Sequence, residues 1–159
     1  MNERVASRAI QDRLAECARH EEKILAAYRH LLPYFPFTVD KFLHLDEITS
    51  GFLDQFVYRF SKLQDTLGER IFPALLLLGK EEVKGKTFLD ILHRMEELDL
   101  LKADEWIDLR ELRNEIAHEY SHNADEVVQA LNMIIEKSSM LLIIYTRVRE
   151  FIKIKYDLK

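Results

Sequence analysis

The residues best equipped for chemistry stand together late in the chain, in the stretch LRELRNEIAHEY at positions 109–120. On a helix, with about 100° per residue, this stretch divides into three faces. Leu109, Leu112, Ile116 and Tyr120 form an apolar face for packing. Glu111, Glu115 and Glu119 form an acidic face suited to solvent. Arg110, Arg113, Asn114, Ala117 and His118 form the third, with the small Ala117 near its middle, where a ligand or another helix can come close. An arginine fork matches phosphate geometry. A histidine titrates near neutral pH and can move protons. Asn114 and His118 are four apart, so the amide can orient the imidazole. The set suits metal-free phosphodiester chemistry, with a histidine handling the proton and an arginine holding developing phosphate charge. Spacing alone equally allows Arg113 to pair with a glutamate and His118 to cap a buried polar contact.

Further candidates are fewer. Arg59, Lys62 and Asp65 recur at three-residue steps; they could support the same cleft or form a salt-bridged helix face. Tyr120 falls about 20° from Arg113 and about 160° from His118, which suits either a cleft rim or a core tyrosine. His20, His30, His44, His93 and His122 show no ligand spacing, so no metal is expected. No glycine-rich phosphate loop is present, and no cofactor is expected. Arg147, Arg149, Lys153, Lys155 and Lys159, interleaved with Phe151 and Tyr156, could steer RNA or simply finish a helix.

The elements that must carry these residues are helices. The 159 residues hold only four Gly and three Pro, and 48% are hydrophobic. That is too few turn residues for a β-sandwich and enough chain for one core, so residues 1–159 read as a single domain. Apolar steps of three and four over residues 2–32 (Val5, Ala9, Leu14, Cys17, Ile24, Ala27, Leu31) predict a helix with a polar break at 19–22, ended by Pro33 and Pro36. Asp46 or Thr49 caps the next, with Phe52, Phe56, Phe60 and Leu63 as its stripe. Pro73 implies a kink or a new helix. Thr87 opens a helix ending near Leu100. Asp104 opens the helix bearing the motif, and Asn123 opens the last, running to about Ile154 with Ser138, Leu141 and Tyr145 inward. Short connections predict an all-α, antiparallel up-and-down bundle: a four-helix core with extra short helices.

Charge and cysteine usage bound the partners. There are 23 basic and 28 acidic residues, net −5, which argues against non-specific DNA binding. The lone Cys17 excludes a disulfide framework and fits a cytoplasmic setting. The N-terminus has no apolar core like a signal peptide's, and the longest apolar runs, 74–78 and 140–145, are short, so no membrane association is expected.

Arg113 to His118 matches the Arg-x4-His motif of the HEPN superfamily, with a polar residue after the arginine. With Tyr120 it becomes Arg-x4-His-x-Tyr, which resembles the HEPN toxins paired with a minimal nucleotidyltransferase antitoxin. The segment YRFSKLQD at 58–65 also resembles a stretch on the second long helix of such proteins. The resemblance implies a HEPN-like bundle that homodimerises, two motifs forming one RNA-cleaving cleft. It implies His118 as general base or acid, Arg113 stabilising the transition state, Asn114 orienting His118 or a phosphate oxygen, and Tyr120 accepting AMP from the nucleotidyltransferase. The alternative is a non-catalytic nucleotidyltransferase-binding subunit.

Overall fold

The computed structural model describes residues 3–118 and 123–158, Ala117 and His118 by backbone alone. Helix α1 (Glu3–Leu31) leads through a 3-10 turn (Leu32–Tyr34) to the short α2 (Val39–Leu43). Then come α3 (Glu47–Thr66), a π-helical turn (Leu67–Ile71) and α4 (Phe72–Leu78), followed by α5 (Phe88–Glu97), α6 (Ala103–His118) and α7 (Ala124–Tyr156). The protein is all-α, with no strand among the described residues. Helix α1 packs on α3 and α4, α6 on α7 and α5, and α3 also touches α6.

The inner face of α1 is Ala6, Ile10, Leu14, Cys17, His20, Ile24, Ala27 and Leu31. At its start the inward register is one residue later than expected: Ala6 and Ile10 are buried, whereas Val5 is 52% exposed. The expected polar break is bridged by His20, which goes inward and keeps the three- and four-residue steps unbroken. After the prolines, the connector is pinned to α7. Asn132 accepts from the Phe37 backbone N–H at 2.8 Å and donates to its carbonyl at 2.9 Å.

Asp46 caps α3 by accepting from the Thr49 backbone N–H at 3.1 Å. Hydrogen bonds from Thr49 hold this carboxyl below the usual aspartate range. Phe56, Phe60 and Leu63 are buried as expected, and Leu53 is buried beside them. Phe52 stays half-buried and stacks on His30, ring centroids 4.2 Å apart.

The helix then widens instead of stopping. Pro73 has no N–H, and its ring would crowd the carbonyl four residues back in a regular α-helix. The π turn lies immediately before it, and the Phe72 N–H reaches the Leu67 carbonyl, five residues back. Residues 47–78 thus run as one continuous helical rod.

Thr87 and Asp90 form a reciprocal capping box at the start of α5. This helix ends at Glu97, earlier than expected, because Asp99 turns the chain at φ 60. Helix α6 starts at Ala103, one residue before Asp104, and the Glu96 side chain accepts its first N–H at 2.9 Å. Asn123 caps α7 as expected. An 18-residue window of α7 has a mean hydropathy of 1.5, so this helix is long and apolar enough to cross a membrane. The separate apolar runs had understated this, and half of that window is buried within the fold. Trp106 of α6 and Phe72 of α4 meet in the core with centroids 4.9 Å apart. Trp106 is 1% exposed, so losing its indole would cost about 3–5 kcal/mol.

Candidate functional site

As far as Ile116, α6 shows the three faces that its spacing predicts. Leu109, Leu112 and Ile116 are buried, Glu111 and Glu115 are exposed, and Arg110, Arg113 and Asn114 look onto one pocket. The pocket has a volume of about 250 Å³ and lies between α6 and the junction of α3 with the π turn, with Phe88 of α5 at its edge.

Arg113 is fixed by Asp65. Its Nη2 donates to Oδ2 at 2.9 Å and its Nε to Oδ1 at 3.3 Å. The two side chains are 29% and 31% exposed, so solvent screens the pair, and its value lies in fixing the guanidinium plane more than in stability. Arg110 lies with its guanidinium carbon 4.8 Å above the centre of the Phe88 ring, a cation–π contact worth about 0.5–1 kcal/mol at an exposed site. The back wall is buried. Gln64 sets its amide against the Leu109–Arg110 peptide, at 2.8 Å from the Arg110 nitrogen and 3.2 Å from the Leu109 oxygen. Gly68 supplies bare backbone, and a Cβ there would sit 3.1 Å from Trp106 Cζ2 and 3.4 Å from Phe88 Cζ.

Asp65, Arg110, Arg113 and Asn114 are therefore brought together, and Arg59 and Lys62 are not. Each three-residue step turns about 60° around a helix, so Arg59 and Asp65 lie about 120° apart on α3. Arg59 turns toward α1, with Nη1 3.0 Å from His20 Nδ1, and its guanidinium sits 5.5 Å from the Tyr58 ring centre. The Lys62 ammonium lies 5.6 Å over the same ring. Arg113 pairs with an aspartate of another helix, not with a glutamate. His118 closes α6; its side chain, and all of Tyr120, lie outside the described residues.

Sequence reasoning did not find Gln64, Gly68, Glu69, Phe88 and Trp106, which complete the pocket. A usable signal existed: Glu69 follows Asp65 by four residues, and Trp106 precedes Arg110 by four, so each shares a face with a residue already singled out.

A second polar cluster is separate. A guanidinium only donates, so His20 Nδ1 accepts from Arg59 and the neutral ring carries its proton on Nε2. That nitrogen is buried, has no hydrogen-bond partner, and lies 3.7 Å from the Glu16 carboxylate. Burial and, after it, the Arg59 charge push the His20 pKa below the ordinary 6.5. Near the C-terminus, Arg149 reaches Glu21 at 3.7 Å and Lys155 lies over Phe151 and Tyr156. Among the described residues no three His, Cys, Asp or Glu side chains converge to hold a metal ion.

No protein-family model, curated protein or solved structure matches the chain.

Proposed function

We propose that the protein is a HEPN-type toxin: a metal-independent endoribonuclease with a HEPN-like four-helix core, acting in the cytoplasm as a homodimer. The single observation that carries this reading is the grouping of Arg113, Arg110 and Asn114 on an open pocket, on the helix whose final turn holds His118. The RNA 2′-hydroxyl attacks the adjacent phosphate, and the 5′-oxygen leaves. One His118 takes the 2′ proton or protonates the leaving oxygen, and water serves for the other transfer. Asp65 holds the Nε–Nη2 edge of Arg113, so the guanidinium meets the phosphorane charge already oriented. Asn114 orients the imidazole or a phosphate oxygen. A partner nucleotidyltransferase silences the enzyme by transferring AMP to Tyr120, since a bulky anion beside the cleft excludes RNA and occupies Arg113.

The test is cleavage of RNA by the purified chain in excess chelator, with the ends analysed for cyclic phosphate and 5′-hydroxyl. His118→Ala and Arg113→Ala should each slow cleavage by about 100-fold or more. A His118→Ala protein as fast as the parent would sink the assignment. Incubation with the cognate nucleotidyltransferase and ATP should add one AMP to the Tyr120 peptide by mass.

A second reading, a non-catalytic nucleotidyltransferase-binding subunit, is favoured by one observation: Asp65 already engages Arg113. It predicts a tight heterocomplex and no cleavage by the purified chain.

A further inference from the structure

The pocket beside Arg113 holds more recognition chemistry than phosphate transfer needs. One wall is apolar, made by the half-buried Phe88 ring and the buried edge of Trp106 beside the backbone of Gly68. Arg110 rests on the Phe88 ring, which holds its fork at the pocket edge. Glu69 is exposed, lines the same space, and has no ion-pair or hydrogen-bond partner among the described residues. A slot with an aromatic wall, an arginine fork and an unengaged carboxylate is built for a planar ligand with acceptors on one edge and paired donors on the next.

We propose that this pocket binds the guanine base of the RNA next to the scissile phosphate, an inference that rests on the nuclease reading for its place in catalysis. Guanine alone among the four bases fits both polar groups. Its N7 and O6 accept from an arginine fork. Its N1–H and N2–H₂ form a donor pair that both oxygens of a carboxylate can accept. Adenine offers a fork one acceptor beside a donor. Uracil flanks its single N–H with two carbonyls, and cytosine puts N3 and O2 where they repel a carboxylate. Single-stranded RNA presents unstacked bases to such sites, and an aromatic wall adds sequence-independent stacking. Arg113 lines the same pocket, so a base lodged there leaves its own phosphate within reach of the guanidinium.

The experiment has two arms. The protein is titrated with 5′-GMP, AMP, CMP and UMP, and its cut ends are mapped on random-sequence RNA. GMP should bind about tenfold or more tighter than AMP, and cuts should cluster beside guanosine. Glu69→Gln is a surface change expected to keep the fold, which an unchanged circular dichroism spectrum checks. It replaces an acceptor oxygen with a donor facing N1–H or N2–H₂, so the GMP-over-AMP ratio should fall about tenfold. Equal binding of the four nucleotides, or a preference that survives Glu69→Gln, overturns the guanine site. A guanine preference lost in Glu69→Gln without RNA cleavage keeps the site and removes the nuclease reading. Cleavage without base preference, together with equal nucleotide binding, removes the guanine site alone.

Discussion

Arg113 and Asp65, 48 positions apart in sequence, face each other through two parallel hydrogen bonds that tie α6 to the end of α3. Breaking this fork from either side should register as a coupling. Asp65→Ala and Arg113→Ala should each lower stability by about 1 kcal/mol or less, with a coupling of about 0.5–1 kcal/mol in the double mutant. Urea denaturation of the four proteins measures it. Strict additivity would mean that the fork orients Arg113 without stabilising the fold.

Gly68→Ala tests the close approach behind the pocket. Alanine gains up to about 1 kcal/mol over glycine inside a helix. Here its Cβ would lie 3.1 Å from a Trp106 ring that is 1% exposed, and overpacking typically costs about 1–3 kcal/mol. The steric term wins, so a net loss of about 1 kcal/mol is expected, read as a lower urea midpoint at unchanged slope.

His20 makes stability pH-dependent in a definite direction. Its folded pKa lies below the ordinary 6.5, so between the two values the unfolded chain binds the extra proton. Its contribution is complete above the unfolded pKa and is lost as pH falls from there toward the folded one. Melting temperature should drop as pH falls below the ordinary histidine value of 6.5. His20→Asn retains an acceptor toward Arg59 and should flatten that part of the curve. An identical slope in the variant would assign the effect to other groups.

Cys17 should be inert in the folded protein. Burial, aided by the neighbouring Glu16 charge, pushes its thiol up to about 12, and the side chain is inaccessible. At about pH 8 a thiol reagent should modify nothing in the native state and the single cysteine after unfolding in guanidinium. Rapid native labelling would show that α1 opens locally.

Much of this architecture was legible in advance, for identifiable reasons. Asp46, Thr87 and Asn123 were readable as caps because a short polar side chain before an apolar period has one good use. The three faces of α6 followed from helical geometry alone. The register of early α1 was not legible, because Val5 and Ala6 are both plausible inward residues and only the packing against α3 and α4 decides. His20 was missed because its burial depends on Arg59, which is 39 positions away. Arg59 and Lys62 were grouped with Asp65 because three-residue spacing looks like one stripe over a single step and diverges over two. The pocket's aromatic wall comes from α5 and α6 together, which no local pattern contains.

The π turn carries a consequence of its own. Leu63, Leu67, Ile71 and Leu75 are all 2% exposed or less, yet steps of four would drift by about 40° each around a regular α-helix. The wide turn absorbs that drift and acts as a phase corrector between the two halves of one rod. Deleting one residue within 67–71 would restore ordinary helical pitch and leave Leu75 only about 20° from the direction of Leu63, because eleven steps of about 100° nearly close three turns. Leu75 would then keep its place in the core, while Gly68 and Glu69, which the wide turn carries into the pocket wall, would shift. The extra residue of the turn therefore shapes the candidate site more than it secures the fold: a plain helix would keep the core stripe and lose the pocket wall.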